Sequence, residues 1–89
     1  MTLKVVSAAV MANEMVFSKP APCRHHHVLN SMSIDFGLDA MKLGIPENQG
    51  FVLSDGTFAG RTRGAKVALA AGQIEKLNWP PYLYSEDLW

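Results

Sequence analysis

Residues 3 to 11, LKVVSAAVM, set valines among small residues, and the polar ANE that follows is turn material. MVFS, residues 15 to 18, resumes the apolar pattern, so the two pieces predict an N-terminal β-hairpin. KPAP ends it, because prolines cannot continue a ladder. From Arg24 the period changes. Val28, Leu29, Met32 and Phe36 recur at helical spacing, and Gly37 is a natural stop. LDAMKLG predicts one further short turn ahead of Pro46. In QGFVLSDGTFAG, two short apolar runs flank Asp55-Gly56, a dipeptide suited to tight hairpin turns. The helix RTRGAKVALAAG follows and closes at Gly72. Its Val67, Ala68, Leu69 and Ala71 predict a close-packed neighbour. The tail NWPPYLYSEDLW cannot be helical at its two prolines, yet it carries Trp79, Tyr82, Tyr84 and Trp89. A disordered tail does not concentrate aromatics in this way, so residues 79 to 89 are expected to dock on the body or on a neighbouring subunit. The expected fold is α+β: one small domain over residues 1–89, with antiparallel hairpins packed against two helices.

Composition adds an expectation of self-association. With 89 residues and Cys23 as the only cysteine, the chain has a limited core and no internal disulfide to support it. A hydrophobic content of 48% suits a homo-oligomer, a common recourse of small scaffolds. Eight acids balance eight bases, which argues against coating long DNA or RNA. No stretch approaches the roughly 20 apolar residues of a membrane span. The N-terminal apolar run reads as strand rather than signal peptide, and the expected location is the cytoplasm.

CRHHHVLN, residues 23 to 30, first suggests a metal, since Cys23, His25, His26 and His27 are all competent ligands. Their spacing is poor, because neighbours on a helix point roughly 100° apart. The chain has no further Cys or His to complete a site, so no metal or other cofactor is expected. His25, one turn before Val28 and Leu29, reads equally well as a satisfied histidine at the edge of the core. Nor do the residues assemble a recognisable nucleophile and base, a carboxylate pair or a phosphate-binding loop with its Lys-Ser/Thr. A binding protein is therefore expected rather than an enzyme.

The cations carry more information. All three arginines fall at predicted helix starts: Arg24 in one helix, Arg61 and Arg63 in the other. A helix N-terminus is the positive end of the dipole and favours acids, by roughly 0.3–1 kcal/mol each. Its free N–H groups also make it a natural phosphate site, and arginine adds a planar fork matched to phosphate oxygens. His25 and His26 supply further donors. Phe51, Phe58 and Tyr84 lie near these segments in sequence and could stack on a base. Against this stands the plainer reading that the arginines are solvated or pair with Glu86 and Asp87.

Several short motifs strengthen the first reading: RHHHVL after an N-terminal hairpin, NQGFVLSDGTF, AGRTRGAKVALAAGQI and a terminal LYSEDLW. In that order they resemble the first-described Thoeris anti-defence proteins of phages and prophages. Members of that family sequester cyclic ADP-ribose signals without cleaving them, and some also take up cyclic oligonucleotides. They assemble as homo-oligomers with ligand sites between subunits. The resemblance implies a ligand-sequestering domain acting in the cytoplasm of an infected bacterium on a small phosphorylated nucleotide signal. The positions that match its motifs are Arg24, His25, His26, Phe51, Phe58, Arg61 and the terminal LYSEDLW. Arg63 and Tyr84 join these as ligand-binding candidates. Gly64 departs from the pattern, where an acid is expected, and the chain is shorter than the family's members. The competing expectations are a phage inhibitor that docks on a host enzyme through its aromatic tail, and a nucleotide hydrolase or transferase.

Overall fold

A two-residue turn folds the first strand back on itself: Asn13 and Glu14 both adopt positive φ, 52° and 63°, as a type I′ hairpin turn requires. In the computed structural model, which describes residues 3–20 and 22–88, this turn joins β1 (Val5–Ala12) to β2 (Met15–Pro20). Two further strands, β3 (Gln49–Leu53) and β4 (Phe58–Gly60), complete an antiparallel sheet of order β2-β1-β3-β4. Their connection bends at Gly56, φ 86°, while the Asp55 carboxylate accepts from the Thr57 amide at 3.0 Å and its hydroxyl at 2.6 Å. The architecture is a small α+β domain with a four-stranded antiparallel sheet.

The helices α1 (His25–Phe36) and α3 (Arg61–Ala70) pack against this sheet. Under α1, Val28 and Met32 meet Ala8, Val10, Ala12 and Phe17 in one cluster. Gly37 ends the helix in the left-handed region, φ 65°, with its N–H and that of Leu38 returning to Ser33 and Met32. Phe36, on the expected apolar stripe, stays 58% exposed and touches Phe17 edge-on. A single helical turn, α2 (Ala40–Leu43), follows with Asp39 as its cap.

Under α3, Phe51, Leu53, Val5, Ala59, Ala65 and Ala68 form a second cluster. Here the sequence expectation needs correction. The helix buries Gly64, Ala65 and Ala68, and leaves Leu69 41% exposed. The reason is the Phe51 ring, which lies so close to Gly64 that an added Cβ would come within 3.0 Å of it. The helix therefore turns its smallest residues to the sheet. After α3 the chain runs through a turn containing the cis Pro80-Pro81 bond and into α4 (Ser85–Leu88). Leu83 joins the second cluster, fully buried, and Ser85 is 2% exposed. Trp89, counted above among the tail's aromatics, lies outside the described residues.

Strand register fixes which side chains share a face. Ala8 pairs with Phe51, and Phe51 with Ala59, all on the helix-covered side. On the opposite side lie Val16 paired with Met11, Ser7 with Val52, and Val52 with Phe58. None of these is charged.

Candidate functional site

The return of residues 82 to 84 to the start of α3 makes a cleft in which expected site residues meet. Leu83 is tied to Arg61 in both directions: its N–H donates to the Arg61 carbonyl at 3.2 Å, and its carbonyl accepts from Arg61 Nη1 at 3.0 Å. The other guanidinium nitrogen, Nη2, donates to Gln49 Oε1. Gln49 is itself held, since its Nε2 donates to the Gly44 carbonyl at 2.6 Å. The guanidinium carbon sits 4.5 Å from the centroid of the Tyr84 ring, a cation–π contact. Tyr84 in turn is fixed through its N–H, which donates to the Asp87 carboxylate at 2.9 Å.

Arg61 is thus the cation at the unfavourable end of the dipole, held half-buried by neutral acceptors and an aromatic face. Burial pulls its pKa below the ordinary value, while Tyr84 and then Glu86 act in the opposite sense. It remains a cation at neutral pH, as arginine does throughout proteins. Around it opens a cleft of about 450 Å³, lined also by Gly60, Thr62, Tyr82 and Glu47. That volume lies in the usual range for small-molecule sites. Gly60, the N-cap of α3, offers no side chain to the first-turn amides, and no acid occupies that turn. The wall is therefore an uncapped helix start with a fixed guanidinium, two tyrosines and one carboxylate at its rim.

The other candidates lie elsewhere. His25 is buried, 7% exposed, with Nε2 2.7 Å from the Gly50 carbonyl and Nδ1 3.3 Å from Ser85 Oγ. Desolvation chiefly lowers its pKa. The Gly50 bond opposes that shift, Arg61 reinforces it and Glu86 opposes it. Neutral His25 accordingly donates from Nε2 to Gly50 and accepts from Ser85 at Nδ1. Both ring nitrogens are engaged, so His25 cannot present itself to a ligand in this conformation.

Phe51 is fully buried and meets the His25 ring edge-on at 5.0 Å, so no base can stack on it either. Phe58 is half-buried on the opposite side of the sheet, with its ring over Gly50. Arg24 caps α1, and its backbone N–H donates to His27 Nδ1 at 2.8 Å. His26 is exposed and lines a shallow groove between α1 and α2. Arg63 is exposed and acts on Asp55, whose carboxyl is lowered first by its bonds to Thr57.

Of the eight ligand candidates, then, only Arg61 and Tyr84 line the cleft. Gln49, Tyr82, Thr62 and Glu47 belong to it as well, although none of them is among the ligand candidates expected from the sequence. Their common feature is proximity to residues 82 to 84, a long-range contact. Among the described residues, no group of three or more His, Cys, Asp or Glu is arranged to hold a metal. Nor is any helix among the described residues long and apolar enough to cross a membrane. No match is found among curated proteins or solved structures. A family model described as phage T4 y16D protein, by contrast, matches residues 4–89, and the chain belongs to that phage protein family.

Proposed function

We propose that this phage protein binds and sequesters a small phosphorylated nucleotide signal, of the cyclic ADP-ribose type, without cleaving it. One observation carries the reading: the uncapped start of α3 opens into a 450 Å³ cleft whose wall is the Arg61 guanidinium stacked on Tyr84. Free amides and a planar cation suit a phosphate, and the exposed faces of tyrosine suit a base. A wall of one cation, one amide, one hydroxyl and two aromatic rings, with a single rim carboxylate and no second acid or base among its lining residues, accords with holding a ligand rather than transforming it. The resemblance of its motifs to those of Thoeris anti-defence proteins supports the same ligand class, and cyclic oligonucleotides are a second candidate within it.

Self-association belongs to the same proposal. The described strand positions on the sheet face turned away from the helices include Val16, Met11, Val52 and Phe58 and no charged side chain, a surface suited to another copy of the chain. A second reading, inhibition by docking on a host enzyme, draws on Met41, Ile34 and Trp79, which are 93%, 74% and 69% exposed.

The test is a nitrogen-15 NMR titration with cyclic ADP-ribose. Sequestration predicts saturable shifts at Gly60 to Arg63, Gln49 and Tyr82 to Tyr84. Spectra unchanged at millimolar nucleotide would overturn the ligand class and favour the docking reading.

A further inference from the structure

His25 is the buried titratable group that the cleft leaves unused, and its position makes it more than filling. Its two ring nitrogens join three elements: α1, which carries it; β3, through the Gly50 carbonyl at 2.7 Å; and α4, through Ser85 Oγ at 3.3 Å. Ser85 directly follows Tyr84, the ring on which Arg61 rests, and Leu83 just before it holds Arg61 through its N–H, which donates to the Arg61 carbonyl, and its carbonyl, which accepts from the guanidinium. Residues 83 to 85 are thus fastened at one end to Arg61 and at the other to His25. We propose that His25 is a positioning residue for the cleft, a latch that holds the returning segment in place and opens it when the imidazole takes up a proton. The cleft itself rests on the sequestration reading, but the latch does not need a ligand to be observed.

The groups that face the ring set the direction of the response. From α3 comes the Arg61 cation and from α4 the Glu86 carboxylate, while β3 offers a carbonyl and the Phe51 ring edge. On its own helix, His25 has His26 and His27 as neighbours, their rings 4.0 Å apart. Protonation would place an imidazolium in a 7% exposed site and remove the lone pair that accepts from Ser85. The Ser85 hydroxyl can turn and accept instead, so the bond alone does not decide the outcome. Burial of a second cation near Arg61 does, and Glu86, itself exposed, offsets it only in part. Displacing Ser85 relieves that burial, and it carries Tyr84 and the Leu83 carbonyl away from Arg61.

The experiment is amide hydrogen exchange on the full chain between pH 5.5 and 7.5, with rates converted to protection factors. The reporters are the hydrogen-bonded amides of Leu83, Tyr84 and Asp87, and the Val10 amide in the centre of the sheet is the reference. The latch predicts that protection of the three lies well below that of Val10 at every pH and falls severalfold as the pH drops through this window. In His25→Gln, which keeps a donor for Gly50, their protection should already be low at neutral pH and no longer vary with it. Ser85→Ala, with His25 intact, should lower protection in the same residues and provides the answer if the first variant does not fold. A pH dependence that survives in His25→Gln belongs to some other group and overturns the latch. So does protection of the three equal to that of Val10 at every pH, which is the mark of global unfolding alone. Because no nucleotide is added, failure of the latch and failure of the sequestration reading are distinguishable.

Discussion

Replacing Arg61 with alanine should weaken the fold and the ligand site together. The substitution removes the bond to the Leu83 carbonyl, the bond to Gln49 and the contact with the Tyr84 ring. A hydrogen bond to a charged group contributes about 1.5–3 kcal/mol when sheltered, and a cation–π contact about 0.5–1 at an exposed site. Arg61 is only half-buried, and water can replace part of what is lost. A net cost of about 2 kcal/mol is the reasonable expectation from these magnitudes. For a domain of this size each kcal/mol moves Tm by about 4–8 °C, so calorimetry should show a fall of about 8–16 °C. Below the new Tm, nucleotide affinity measured by titration should drop at least tenfold, since one charge-assisted phosphate contact goes with the side chain. Arg61→Lys should recover only part of both losses, because an ammonium lacks the fork that reaches Leu83 and Gln49 at once. An Arg61→Ala protein with unchanged Tm and unchanged affinity would refute the assignment of this residue as the keystone of the cleft.

Other expectations follow from the same geometry. Phe51→Leu should cost about 1 kcal/mol or more by calorimetry because the ring is fully buried against Gly64 and His25. Phe58→Leu should cost less, and neither should change nucleotide affinity, since neither lines the cleft. Deleting residues 79 to 89 removes Leu83 from the second cluster, a loss of about 1.5–3 kcal/mol for one buried leucine alone. The truncated protein should lose affinity and fall out of solution or lose mass by light scattering, and a product with full affinity and mass would contradict the docking of this segment. Stability should also depend on pH through His25. Its pKa in the fold lies below the ordinary 6.5, so under acid conditions the unfolded chain binds the extra proton. This contribution is complete above that value and declines as the pH falls below it. Thermal melts should show the decline in the wild type and a smaller one in His25→Gln.

The elements were legible in the sequence where local chemistry decides them. The hairpin ending at Pro20, the stop at Gly37 and the Asp55-Gly56 turn each rest on residues with a distinctive backbone, a proline whose φ is fixed or a glycine free to take positive φ. The helix start at Arg61 was legible from the hairpin before it and the small apolar residues after it, and with it the cation set against the dipole. Side-chain direction was not. Phe51 and Phe58 looked alike in sequence, and only the register that pairs Val52 with Phe58 puts them on opposite faces. Nor could the sequence show that the Phe51 ring would approach Gly64 and turn Leu69 outward. His25 has the chemistry of a ligand group, but its partners lie 25 and 60 residues away. The cleft depends on a contact between Arg61 and Leu83, 22 residues apart, that no periodicity encodes.

The central claim, that the protein holds a phosphorylated nucleotide intact, is tested most directly by capture and release. Purified protein is mixed with a slight molar deficit of cyclic ADP-ribose, free nucleotide is measured by ultrafiltration, and the retained fraction is then heated to denature the protein. Sequestration predicts that the nucleotide disappears from the filtrate and returns on heating with its mass and cyclic structure unchanged. Recovery of a linear or hydrolysed product would make the protein an enzyme, and nucleotide passing freely through the filter would remove this ligand from the account.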